Sequence, residues 1–461
     1  MIRKQLKPLL LASSIALALG VQAAAALEIS NADELAAALA EGNSQITLRK
    51  GSEIVIDETL VFDGAGALRI NGNGSTISAD SDFHGTLLQV IGADEVSVKD
   101  LTLAGPGGYD INQQLSDKSA GKGLEIVLDP AATGMVGVTL NSLKVQDVGN
   151  HGIYVRDCTS DDCGNGNSGD GDGSDASIML RLNGVFVDGV GFGKQDGDGV
   201  RVDERGAGSV ILSATNSEFL NAGGDGIELD EAGAGDVEFN VRNVSFVDNG
   251  AYCSEDFNGL TLEGIFERDP SCNDDGEADV DDAFDIDEAD DGWLRGSVNN
   301  VSIVGSYDEG LDFDTEGEGG ADIDIVNLDE HDNVGDVVKV SEEGAGSVAV
   351  RIANIDVESE VQLEEEDGGD ISVSVTNAYI GDDLKITETG AGDAEAVIQS
   401  TETKKNIEGE EDDAGQLRFR ITNSLVGKDL ELIANGDQTG AVSFKNSEVV
   451  RDRNLENVDA L

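Results

Sequence analysis

Carboxylates set into an alternating strand are the first chemistry this sequence offers. In residues 226–231, GIELDE, Ile227 and Leu229 alternate with Glu228 and Asp230. The pattern returns as Val200-Arg201-Val202-Asp203, Phe284-Asp285-Ile286-Asp287, Leu311-Asp312-Phe313-Asp314 and Val338-Lys339-Val340-Ser341. Alternation puts the apolar residues on one face of a strand and the others on the opposite face. If such strands stack, the outward residues form columns with a spacing of ~4.8 Å. The first column reads Tyr154, Arg201, Glu228, Asp285, Asp312, Lys339, Gln362, Lys385. The second reads Arg156, Asp203, Asp230, Asp287, Asp314, Ser341, Glu364. Like charges at that spacing repel, and raised pKa values, nearby bases or bound cations can offset this. Hard oxygen donors in a row suit Ca²⁺. The expected metal ligands are Asp203, Glu228, Asp230, Asp285, Asp287, Asp312 and Asp314, on a face expected to be open to solvent. A salt-screened acidic surface without bound ions is the competing expectation.

Two Gly-rich stretches offer more oxygen ligands. Asp170, Asp172 and Asp175 lie in SGDGDGSDAS, and Asn273, Asp275 and Asp279 lie in NDDGEADVDD. Both resemble calcium loops, though neither completes an EF-hand. Residues 223–226, GGDG, open like the calcium-binding nonapeptide repeat. Glu228 and Asp230 then stand where that repeat needs Asp and an apolar residue, and no nine-residue beat follows.

One basic cluster could move protons: His151, Tyr154, Arg156, Lys194 and Arg201, beside Asp198 and Asp203. The alternative is a structural set of ion pairs.

These residues need a frame that stacks them, and the repeat supplies it. The strand motif recurs at steps of 27 between residues 199 and 337, with one step of 57, about two periods, that spans Cys253 and Cys272. Beyond it, Val361, Leu384, Ile407 and Leu430 follow at steps of 23. Asn216, Asn243, Asn300, Asn327, Asn354, Asn377, Asn423 and Asn446 keep the same beat, with Ser400 in the one missing place. Asn tolerates the left-handed conformation of a sharp bend and can bond its stacked neighbours. Gly-Ala-Gly at 206–208, 233–235, 344–346 and 390–392 marks a turn. A fixed period of this size means a solenoid. Each coil should run strand, Gly turn, strand, Asn bend, short strand.

The chain then resembles the right-handed parallel β-helix proteins of the pectate and pectin lyase-like superfamily. VSVKDLTLAG (96–105) and GNHGIYV (149–155) read like its coils, and Asn31-Ala32-Asp33-Glu34 reads like a capping box opening a short helix before Gly42. The resemblance implies an all-β right-handed parallel β-helix solenoid with a short N-terminal capping helix. It also raises polysaccharide cleavage, in which a basic side chain takes a proton beside a uronate and a cation neutralises the acid. The family's Trp-x-Asp-His segment is absent, as are its hydrolase motifs, and the one Trp is Trp293.

Composition bounds the partners. The chain has 461 residues, 93 Asp+Glu against 29 Lys+Arg, and a formal charge of −64. Phosphates would be repelled, which excludes nucleic acid, and no mature segment is apolar enough for membrane insertion. Length alone would allow several domains, but the period argues for one.

Arg3, Lys4 and Lys7 before the apolar run 9–21 read as a signal peptide over 1–23, cleaved after Ala23 or alternatively Ala26. Residues 24–461 then form a single domain with inserted loops near 157–177 and 251–281. The four cysteines suit a secreted protein, periplasmic or extracellular, and local pairing predicts Cys158–Cys163 and Cys253–Cys272. The expected function is binding of divalent cations, a polysaccharide or a cell-surface component along the acidic face. The alternative is a carbohydrate-active enzyme.

Overall fold

The computed structural model describes residues 27–108, 120–158, 163, 173–255, 259–274, 277–278, 280–435 and 439–461. The expected signal segment lies outside them, as do Asp170, Asp172, Asp275 and Asp279. The protein is an all-β parallel β-helix. Its first face is a sheet of 14 parallel strands that runs from Leu60–Asp63 to Arg453–Glu456. The remaining strands of each coil join a second sheet, folded along its length by the asparagine bend.

The register is the one the repeat predicts. Val200 pairs with Ile227, Ile227 with Phe284, Phe284 with Leu311, and Asp312 with Lys339. From Val338 onward the partners are Val361, Leu384, Ile407 and Leu430. Inward residues of the first face, such as Val202, Leu229, Ile286 and Phe313, are fully buried. A one-residue slip would send these apolar groups outward, so burial pins the register. Phe284 packs edge-on against Phe313 at 5.3 Å and stacks with Phe246 at 6.2 Å. This aromatic column lies directly behind the most acidic rungs and ties their strands together.

The asparagine bends form as expected. Asn216, Asn243, Asn300, Asn327, Asn354, Asn377, Asn423 and Asn446 all have φ between 52° and 57°, and Ser400 has φ 54°. Amide Nδ2 groups donate to the preceding Oδ1, at 3.1 Å for Asn243 to Asn216 and for Asn300 to Asn243. At the N-terminal end, Asn31 caps the helix Ala32–Ala40, with its Oδ1 accepting from Glu34 N–H at 3.0 Å. Glu34 reaches back to Ser30 N–H at 3.1 Å. Leu35, Ala38 and Leu39 face inward, and the helix covers the strands Glu53–Ile56 and Leu60–Asp63.

Both disulfides join the expected partners, Cys158 to Cys163 and Cys253 to Cys272. The second insertion holds a small core of its own, with Tyr252, Cys253, Ile265 and Cys272 buried. It contains a helix, Leu262–Arg268, capped by Thr261. Ile265 and Phe266 give this inserted segment an apolar side to bury.

Candidate functional site

The carboxylate columns stack as the spacing predicts, but their environment differs from the expectation. Along the first column Tyr154 pairs with Arg201, Arg201 with Glu228, Glu228 with Asp285, and Asp285 with Asp312. Along the second, Asp203, Asp230, Asp287 and Asp314 follow one another. The solvent-open face is corrected: Asp203 and Asp230 are 0% exposed, Glu228 7% and Asp312 8%, while Asp285, Asp287 and Asp314 are half-buried. One cause is Arg201, itself 2% exposed, which lies across the strands.

Arg201 gathers carboxylates from three positions of the coil. Its Nη1 donates to Asp196 at 2.8 Å and Glu228 at 2.6 Å, its Nη2 to Asp230 at 2.7 Å, and its Nε to Asp203 at 3.0 Å. Arg205 Nη2 donates to Asp230 at 2.7 Å. Burial alone would lower the Arg201 pKa, but Asp196, Asp203, Glu228 and Asp230 raise it well above its ordinary value. Tyr154 donates to Asp203, and burial with the Asp203 charge pushes the phenol well up.

All five basic or aromatic candidates for proton transfer are thus located. His151 Nδ1 sits 2.9 Å from Asp198 Oδ2. Arg156 Nε donates to Glu125 at 3.3 Å. Lys194 lies in the turn before Asp196, its backbone N–H 3.4 Å from Gly191 O. His151, Tyr154, Arg156 and Arg201 are buried. Burial lifts the Asp198 carboxyl, but the hydrogen bond and charge of His151 and the charge of Arg201 bring it below its ordinary value.

A third acidic column was missed at the turn that precedes each strand. Asp198, Asp225, Asp282 and Glu309 occupy equivalent places one residue before the Gly or Ala that begins the motif. Their carboxylates bind the next coil's backbone: Asp225 N–H donates to Asp198 at 2.9 Å, Asp282 N–H to Asp225, and Glu309 N–H to Asp282 at 2.7 Å. The signal was available, because an acid at that place recurs on the 27-residue beat, through Asp336.

This column meets the first strand column in two linked groups, Asp225, Glu228 and Asp285, and Asp282, Asp285 and Asp312; a third group, Asp282, Asp308 and Glu309, lies within the turns. In each, one oxygen per residue lies within 4.8 Å of the others. Two other groups are already met by bases. Asp196, Asp198 and Glu228 surround Arg201. In the group of Glu360, Asp382 and Asp383, Lys385 bonds Glu360 at 2.8 Å and Lys405 bonds Asp382. By contrast, no described Lys or Arg lies within ion-pair distance of Asp225, Asp282 or Asp285. Lys339 bonds one oxygen of Asp312 at 2.8 Å, while the other, Oδ1, is buried without a hydrogen bond.

The electrostatics follow from this. Burial first, then neighbouring carboxylates, push Asp225, Asp282, Asp285 and Asp287 well above the ordinary range. Asp312 rises to about 7 and Asp308 to about 8, again mainly through burial. Such a group must hold protons or bind a cation.

Of the expected ligands, the structure brings Glu228, Asp285 and Asp312 into these groups. Asp203 and Asp230 instead face Arg201 and Arg205, and Asp314 lies 3.5 Å from Lys339. Asp175 opens the strand Asp175–Asn183 and is exposed, and Asn273 pairs with Ala278 in a short antiparallel ribbon. No family model and no curated protein sequence matches this chain.

Proposed function

We propose that this protein is a secreted parallel β-helix that binds Ca²⁺ between coils of its first face. Asp225, Glu228, Asp282, Asp285 and Asp312 supply the oxygens, and backbone carbonyls and water complete the coordination of six to eight that Ca²⁺ takes. The observation that carries this reading is the break in charge compensation. Arg201 and Arg205 serve the rungs below and Lys339 the rung above, while Asp225, Asp282 and Asp285 between them have no basic partner among the described residues. The buried, unbonded Oδ1 of Asp312 points to the same place. The secretory reading of the N-terminus and the two disulfides fit an oxidising compartment. The likeness to pectate and pectin lyase-like proteins belongs to the same proposal at the level of the fold. The lyase alternative loses support because Arg201, its best base, is buried and engaged with four carboxylates.

Calorimetric titration of chelator-treated protein with CaCl₂ tests the reading, together with melting temperatures in CaCl₂ and in NaCl of equal ionic strength. Ca²⁺ should protect beyond NaCl, by about 2.7 kcal/mol at a hundredfold excess over Kd. Asp282→Asn with Asp285→Asn should erase the difference. Equal protection by both salts would leave the acidity as screened surface charge and refute the site.

A further inference from the structure

A fourth column of acids runs inside the solenoid, at the corner where the first face ends. Glu342, Glu365, Glu388 and Glu411 occupy equivalent positions in successive coils, at steps of 23. The register pairs Glu365 with Glu388 and Glu388 with Glu411, and the neighbouring pair Glu343 and Glu366 sets Glu342 beside Glu365. All four are 0% exposed. Neighbouring strands lie about 4.8 Å apart, which sets successive members of the column side by side.

Each member has the same local task. Its Oε1 accepts the backbone N–H of the glycine four residues on: Gly346 at 2.9 Å, Gly369 at 2.5 Å, Gly392 at 2.8 Å and Gly415 at 2.6 Å. The same bond places a glycine at the turn after each of these four strands. An added Cβ at Gly369 would come 1.4 Å from Gly346 O, so the corner has room only for glycine. The other oxygen, Oε2, is buried without a hydrogen-bond partner in all four residues. Among the described residues, the charged side chains that bear most on Glu342, Glu365 and Glu388 are other members of the column, Glu343 and Asp367, all of them acidic.

Four buried carboxylates in a file with no basic ion-pair partner among the described residues cannot all carry charge. A carboxylic acid beside a carboxylate solves the problem, since one proton supplies the donor that the unpartnered oxygens lack. We propose that Glu342, Glu365 and Glu388 form a proton-holding ladder, in which neighbours share protons through Oε2, and that the C-terminal coils loosen when rising pH empties it. The proton comes from solvent on folding and returns there on unfolding. This does not rest on Ca²⁺ binding, whose groups lie in earlier coils.

The direction of the pH dependence follows from linkage. Burial first, offset in part by the glycine N–H, raises Glu342, Glu365 and Glu388 to about 7 from an ordinary 4.5. The folded state therefore binds more protons than the unfolded state between those values, and its stability falls as pH rises through them. The contribution is fully present below about 4.5 and lost above about 7.

The test is Glu365→Gln with Glu388→Gln in the full chain, in EDTA. Gln keeps the oxygen for the glycine N–H and carries its own donor toward the neighbour. The double variant should melt a few degrees above the unaltered protein at pH 8 and no higher at pH 5. Release of protons on unfolding at pH 6 should drop by at least one, and the infrared band of a protonated carboxyl should weaken at pH 7. An identical pH slope and proton count in both proteins would overturn the ladder. A loss of stability that is the same at pH 5 and pH 8 would also overturn it, as a packing effect.

Discussion

Arg201→Met removes a guanidinium that hydrogen-bonds four carboxylates, and the structure sets the size of the effect. Met preserves much of the aliphatic stem but none of the donors. The bonds lost run to Glu228 at 2.6 Å, Asp230 at 2.7 Å, Asp196 at 2.8 Å and Asp203 at 3.0 Å. Charge-assisted hydrogen bonds contribute ~1.5–3 kcal/mol each, but members of one network do not add. Arg205 stays 2.7 Å from Asp230 and retains part of the compensation. The relevant figure is the cost of stranding buried charge, ~3–5 kcal/mol. Urea unfolding at pH 7.5 should show that loss. Without the guanidinium, whose charge now holds them down, Asp203 and Glu228 should titrate higher, so the penalty should shrink at pH 5 as they take up protons. Adding Glu228→Gln and Asp230→Asn should recover part of it. A loss below ~1 kcal/mol at pH 7.5, or one that grows on acidification, would refute a buried, charge-compensating role for Arg201.

Other consequences are as direct. Leu229→Ala, at a position 0% exposed, should cost ~2–5 kcal/mol in urea unfolding. Asn300→Ala forces Ala into φ 57° and drops the bond to Asn243, so a loss of ~2 kcal/mol is expected in the same assay. Ser400→Asn, at φ 54°, should be neutral or stabilising because it restores the amide ladder. Ca²⁺ binding should release protons, and affinity should rise with pH up to about 7 to 8, where Asp312 and Asp308 lose theirs. Titration heats that are identical in buffers of different ionisation enthalpy would contradict this.

Much of the frame was legible in the chain because a solenoid writes its geometry into a period. Alternation set Ile227 and Leu229 inward, and the beat of 27 and then 23 predicted the partners that the sheet shows. The Asn bends and the Asn31 cap were readable for a local reason: each depends on one residue and its immediate backbone. The local cysteine pairs were readable for the same reason.

The columns of acid were equally visible, but their meaning was not. Sequence spacing determines which residues stack, because coils repeat at a fixed number of residues. It does not determine what lies over the stack. Only the folded chain brings Arg201 across the strands to Asp230, a residue 29 positions away, and so divides a uniform-looking ladder into compensated and uncompensated rungs. Likewise Glu231, Glu342 and Glu365 read as ordinary acids after a strand, yet the corner turns them inward onto glycine N–H groups. The identity of a column belongs to the sequence; its dielectric and its counter-charge belong to the tertiary structure, because both depend on atoms contributed by other coils.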